Sequence, residues 1–183
     1  MPKDILNSNF FELFDHAVSY DVDLNKIQQQ YMELQKQVHP DRYANASDQE
    51  KRVSMQRTSW INEALSTLKD PVLRATYLLA LKDLDVNLDN ETTMDAAFLM
   101  QQLEMREKLE NIRDEAEPLV VLDVMARDIK KSSLAMMQSF SQSYENDLLD
   151  DAREWIRKLQ FMEKAKKQVN ASIADIEDEL LGS

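Results

Sequence analysis

A single glycine, Gly182, in 183 residues is the strongest constraint on this chain. Tight hairpins need positive φ at their turns, and glycine is the residue that adopts it without a steric cost. A sheet protein of this length would need many such positions. Only four prolines occur, while Leu, Met, Gln, Glu, Lys and Ala, all good helix formers, are abundant. The expected fold class is therefore all-α.

Charge and residue usage then exclude several functions. The formal net charge is -12, so the chain lacks the basic footprint of a nucleic-acid binder or of a protein that sits on anionic membranes. No apolar run approaches the roughly 20 residues of a membrane span. The opening "MPKDILNSNFFELF" is mixed and acidic, unlike a signal or transit peptide. With no cysteine and two histidines, His16 and His39, neither a disulfide nor a zinc site is expected. No cofactor is expected; the composition points to a soluble cytoplasmic helical protein, and a monomer is expected.

Apolar periodicity divides the chain. A first helix is expected from Phe10 to Ser19. Asp23 is a candidate N-cap for a second helix, whose apolar residues Leu24, Ile27, Tyr31, Leu34 and Val38 form one stripe. Pro40 stops it, because the residue before a proline is pushed out of the α region. Ser47 or Asp48 caps a third helix, with Ile61, Ala64, Leu65 and Leu68 inward and Trp60 beside them. Pro71 starts a short fourth helix carrying Leu73, Tyr77, Leu78 and Leu81. After an acidic connector, helices are expected at about 95–113, 118–144 and 147–180. The second of these places Leu122, Met125, Ile129, Met136 and Phe140 on one side. The last places Ala152, Trp155, Leu159, Met162, Val169, Ile173, Ile176 and Leu180 together, as an antiparallel three-helix bundle requires.

The break "QKQVHPDRYA", residues 35–44, carries a histidine, a proline and an aspartate between two helices. Its bland reading is a helix stop. A catalytic reading needs a nucleophile and a cleft, and pairs His39 with a histidine on another element. No glycine-rich loop is present to cradle a phosphate. An enzyme is therefore not expected.

Around this break stand "FFELFD", "QVHPDRY", "INEALSTLKDPVLRATYLL" and, downstream, "AAFLMQQLEMREKLE". With these stretches the chain resembles a J-domain protein, and more closely the HscB family, from about Phe10 to Leu181. It implies a J-domain over 1–82 (a helical hairpin with short flanking helices), a connector over 83–94 and a C-terminal three-helix domain over 95–183. It also implies a co-chaperone that stimulates the ATPase of an HscA-type chaperone and binds the iron–sulfur scaffold IscU. His39, Pro40 and Asp41 map onto the J-motif, with Lys36 and Arg42 beside them in the expected chaperone contact. The helix before the motif departs from a strongly basic face, since Lys26 and Lys36 share their side with Glu33.

The helix "AAFLMQQLEMREKLENI" has two apolar faces. At about 100° per residue, Phe98, Met105, Leu109 and Ile112 share one side, and Leu99, Met100 and Leu103 lie roughly 100–160° away. Glu104, Glu107 and Asn111 join that outer side. Phe161 lies roughly 120° off the stripe of the last helix. Together these predict an exposed apolar patch rimmed by carboxylates, a pattern typical of partner sites. Packing against the first helical unit or a neighbouring bundle helix is the equal alternative. The resemblance implies scaffold binding through Leu99, Met100, Leu103, Glu104, Glu107 and Phe161. The rival readings are a general folding J-protein, a helical enzyme and a purely structural acidic bundle.

Overall fold

The computed structural model describes residues 5–38, 47–87, 93 and 95–181, and its regular elements there are all helical. The chain forms two compact units, Met1–Lys82 and Asp83–Ser183. His39, Pro40, Asp41 and Arg42 lie outside the described residues.

The first unit holds α1 (Phe10–Leu13), α2 (Leu24–Val38), α3 (Asp48–Lys69) and α4 (Pro71–Ala80). Local chemistry sets each start. Asn9 and Glu12 form a reciprocal capping box on α1, as Ser47 and Glu50 do on α3. The Asp23 carboxylate accepts from the amides of Asn25 and Lys26 at 3.0 and 3.1 Å, capping α2. Asp70 accepts from Val72 and Leu73 at 2.8 and 2.9 Å, with Pro71 in the first turn of α4.

α1 is a single turn, where periodicity predicts a helix to Ser19. The His16 amide donates to the Phe11 carbonyl at 2.9 Å and the Asp15 amide to that of Glu12 at 3.1 Å. This is a Schellman closure with Asp15 at φ 52°. The turn still buries Phe10, Phe11 and Leu13. Phe10 stacks on Tyr77 at 4.3 Å and meets Trp60 edge-on at 4.9 Å, and its amide donates to the Tyr77 hydroxyl at 3.0 Å. Those contacts join α1, α3 and α4.

α2 and α3 run antiparallel. Ile27, Leu34 and Val38 are buried against the side that holds Ile61, Ala64 and Leu68. Tyr31 and Leu65 are half-buried. Leu24, at the first position of α2, is exposed rather than part of the stripe. Leu73 and Leu81 are exposed too, because α4 turns Val72, Ala75, Leu78 and Leu79 inward instead. Arg74 is buried there, donating to the Leu68 carbonyl at 2.6 Å and lying 4.8 Å over the Tyr20 ring.

The second unit holds α5 (Ala96–Glu110), a 3-10 turn (Ile112–Asp114), α6 (Pro118–Glu145) and α7 (Leu149–Leu181). The expected helix at 95–113 is thus α5 plus a tighter turn. α6 and α7 form a long antiparallel hairpin over Leu122, Ile129, Phe140, Ala152, Ile156, Leu159 and Val169, all close to fully buried. Trp155, placed in the stripe by periodicity, is half-buried, and its neighbour Ile156 takes the core position. Leu180 is exposed because it lies in the last turn of α7.

The α6–α7 turn is closed like α1. Leu148 donates to the Ser143 carbonyl at 2.8 Å and Asp147 to that of Tyr144 at 3.1 Å, with Asp147 at φ 60°. Left-handed geometry penalises a β-branched side chain most and glycine least. Asp147→Val should therefore lower the melting temperature by several degrees, whereas Asp147→Gly should match or exceed the parent. Thermal denaturation followed by circular dichroism checks both.

Candidate functional site: an apolar row and groove on α5

Two anchors place α5. The Asp95 carboxylate caps it by accepting from the Phe98 amide at 3.1 Å. The same carboxylate takes a 2.6 Å hydrogen bond from Lys158 of α7. Lys158 also lies 4.9 Å over the Trp155 ring. Just upstream, Thr93 is fully buried and donates to Glu154 of α7. At the far end, Asn111 caps α5 by donating from its amide to the Glu107 carbonyl at 3.0 Å. The structure thus gives Asn111 a helix-ending role.

Between these ends, one row faces inward. Phe98 and Ile112 are buried, and Met105 and Leu109 pack against the same core. The other row is left out: Leu99, Met100 and Leu103 are 37, 57 and 50 % exposed. Glu104 and Glu107 are exposed alongside them.

Phe161 departs from the expected exposed position. It is half-buried, packs against the core and meets Phe98 edge-on at 5.9 Å. It lies where α7 meets α5, so one side of the ring belongs to the core and the other to the surface. Leu99, Leu103 and Phe161 line one open groove of about 370 Å³ between α5 and α7. Met100, Glu104 and Glu107 are not among its lining residues.

The groove also has cations that sequence reasoning missed. Arg106 and Lys164 line it, with Gln102 and Gln168. Arg106 is paired with Glu110 at 2.8 Å. The helical angle of Arg106 gave no warning, since a charged residue between two apolar rows reads as solvated. The rim is therefore mixed in charge rather than purely acidic.

Of the sequence-predicted chaperone contacts, only Lys36 is described. It is exposed and paired with Glu33 at 2.7 Å. Both ring nitrogens of His16 are engaged by backbone: Nδ1 lies 2.8 Å from the Ala17 carbonyl, and the Asp23 amide donates to Nε2 at 3.3 Å. This fixes the loop between α1 and α2. Among the described residues no cluster of three or more metal-ligating side chains occurs, and no helix is long and apolar enough to cross a membrane.

Two outcomes follow from this geometry. Single alanine substitutions at Leu99, Met100 or Leu103 should each change unfolding free energy by less than about 0.5 kcal/mol, as exposed positions do. Phe161→Ala should cost about 1–2 kcal/mol, below the cost of a fully buried Phe. Urea titrations measure both.

The Lys158 hydrogen bond, then the Phe98 amide, hold the Asp95 carboxyl below its ordinary pKa. A depressed carboxyl stabilises the fold above its unfolded pKa and loses that contribution as pH falls through the folded value. Asp95→Asn should therefore be less stable than the parent at neutral pH. The gap should close on acidification below the ordinary carboxylate range, and melting curves across pH would reveal it.

Comparison with known proteins bears on both units. Residues 17–77 match the family model of the DnaJ domain, and residues 94–170 match the HSCB C-terminal oligomerisation domain. A co-chaperone protein HscB homolog of Shewanella sp. (strain MR-4) is 41% identical over 178 residues, covering 94% of this chain and 99% of that protein. The chaperone HscB from Vibrio cholerae superposes with a TM-score of 0.83 at 33% identity, over 94% of this chain and 99% of its own. Human co-chaperone protein HscB reaches the same TM-score, 0.83, at 28% identity, over 93% of this chain and 84% of its own. With both family models matched in order and relatives aligned along nearly the whole length, this chain belongs to the HscB family of J-domain co-chaperones.

Proposed function

We propose that this chain is a two-surface adaptor, acting in the bacterial cytoplasm as a monomer. Its α5 row binds an IscU-type scaffold for iron–sulfur clusters. Its J-domain turn engages an HscA-type chaperone and stimulates ATP hydrolysis. The adaptor performs no chemistry of its own. The observation that carries this reading is the exposed row Leu99, Met100 and Leu103, on a helix whose opposite row is already buried.

The physical division of labour is simple. Apolar side chains at the centre of an interface lose contact with water on binding and supply most of the affinity. Glu104 and Glu107, outside the groove, act at the rim, where charge governs association rate and salt dependence. Phe161 supplies a half-buried ring that is already ordered by Phe98, so little rotamer entropy is lost on docking. On the J-domain, His39, Pro40 and Asp41 are the expected contacts. Lys36, exposed and already paired with Glu33, contributes little, because surface pairs are weak and screened.

Substitutions separate the two surfaces. The triple variant Leu99→Ala/Met100→Ala/Leu103→Ala should keep its melting temperature and lose scaffold affinity by at least about 30-fold, the effect of removing anchors worth some 2 kcal/mol. Calorimetry with purified scaffold measures it. His39→Gln should keep scaffold affinity and abolish stimulation of the chaperone's ATPase. Normal stimulation by His39→Gln, or unchanged scaffold binding by the triple variant, contradicts the assignment of that surface.

A further inference from the structure

We infer that Ser54 is a positioning residue for the end of α2, the point from which the chain leads into the His-Pro-Asp motif. The inference rests on the proposed role of that motif and adds a residue on a different helix. Ser54 lies on α3 and is 3% exposed. Its hydroxyl donates to the carbonyl of Val38 at 2.8 Å, within a buried environment. Val38 is the last residue of α2, and His39 follows it directly.

The position of this bond is what assigns the role. Carbonyls in the last turn of a helix run out of intrahelical donors and need other partners. Ser54 supplies one from the facing helix, at the residue where the chain leaves α2. A buried carbonyl left without a donor is costly, so the bond fixes both the end of α2 and its distance from α3.

Among the described residues, exposed polar contacts across the α2–α3 pair are of a different kind. Lys69 reaches Gln28 at 3.4 Å, and Asn62 accepts from Tyr31 at 3.1 Å and Gln35 at 2.9 Å. Those are exposed and join side chain to side chain. Ser54 to Val38 is buried and grips backbone, and it stands at the end of the hairpin nearest the turn. Val38 itself is 2% exposed, so water has little access to replace the bond. A serine inside a helix more often bonds back to its own turn. Here that local bond comes instead from Thr58, which donates to the Ser54 carbonyl at 3.0 Å.

Without the hydroxyl, the end of α2 at Val38 should spend less time in the arrangement that supports engagement of the chaperone. Apparent affinity falls by the fraction of chains in that arrangement, while saturating co-chaperone restores the full effect. The test is a titration of chaperone ATPase stimulation with full-length parent, Ser54→Ala, Ser54→Thr and His39→Gln chains. Ser54→Ala should raise the half-maximal concentration roughly three- to tenfold with the plateau unchanged. Ser54→Thr, which keeps a hydroxyl, should fall nearer the parent. His39→Gln should lose the plateau itself.

Hydrogen exchange supplies a second readout independent of the chaperone. Backbone amides in the last turn of α2 should lose several-fold more protection in Ser54→Ala than the amides of Leu68 and Leu78 do. The inference is overturned if the half-maximal concentration and the exchange rates of Ser54→Ala match the parent. It is equally overturned if protection falls uniformly across the J-domain, which marks a merely structural bond. If the parent chain itself fails to stimulate the chaperone, the proposed function fails, and the exchange data alone still decide whether Ser54 orders the chain at the end of α2.

Discussion

Two rows of apolar side chains compete on α5 for one buried face. Phe98, Met105, Leu109 and Ile112 win it, because Asp95 and Lys158 tie the start of the helix to α7 and Ile112 anchors the 3-10 turn beyond it. Leu99, Met100 and Leu103 are left in water. Burying both rows would require another layer of protein, which a three-helix unit does not have. The exposed row is thus a consequence of how the buried row is held, and a partner that covers it gains the apolar burial the fold could not use.

The scarcity of glycine shapes the rest. A chain of helices must still stop and reverse, and the described backbone does so with positive φ at Asp15, Asp83 and Asp147. Aspartate tolerates this region better than most residues with a side chain. Asn9, Asp23, Ser47, Asp70 and Asp95 start helices by accepting from first-turn amides. Much of the acidic character therefore has a local structural use, and the net charge of -12 is not by itself a partner signal.

Periodicity and capping residues made α2, α3, α6 and α7 legible in the sequence, along with the two rows on α5. The length of α1 was not legible, because an aspartate at the left-handed position carries no glycine to mark it. Leu24 and Leu180 obey the helical period yet lie at helix ends, and a period does not report where the neighbouring helix stops. Phe161 lies roughly 120° off the stripe of α7, which predicts exposure, yet it is half-buried because α5 brings Phe98 against it. Arg106 and Lys164 were invisible as groove residues because only the pairing of α5 with α7 brings them together. The Ser54 bond to Val38 was equally hidden, since it joins residues 16 apart across two helices.

The proposed adaptor links a scaffold-binding surface to a chaperone-stimulating turn in one chain. The most direct measurement is the steady-state ATPase rate of an HscA-type chaperone with this protein alone, with an IscU-type scaffold alone, and with both. A linking adaptor predicts that the rate with both exceeds the sum of the separate stimulations, and that the excess disappears with the Leu99→Ala/Met100→Ala/Leu103→Ala chain. Rates that merely add, with the same result from the triple variant, would contradict it.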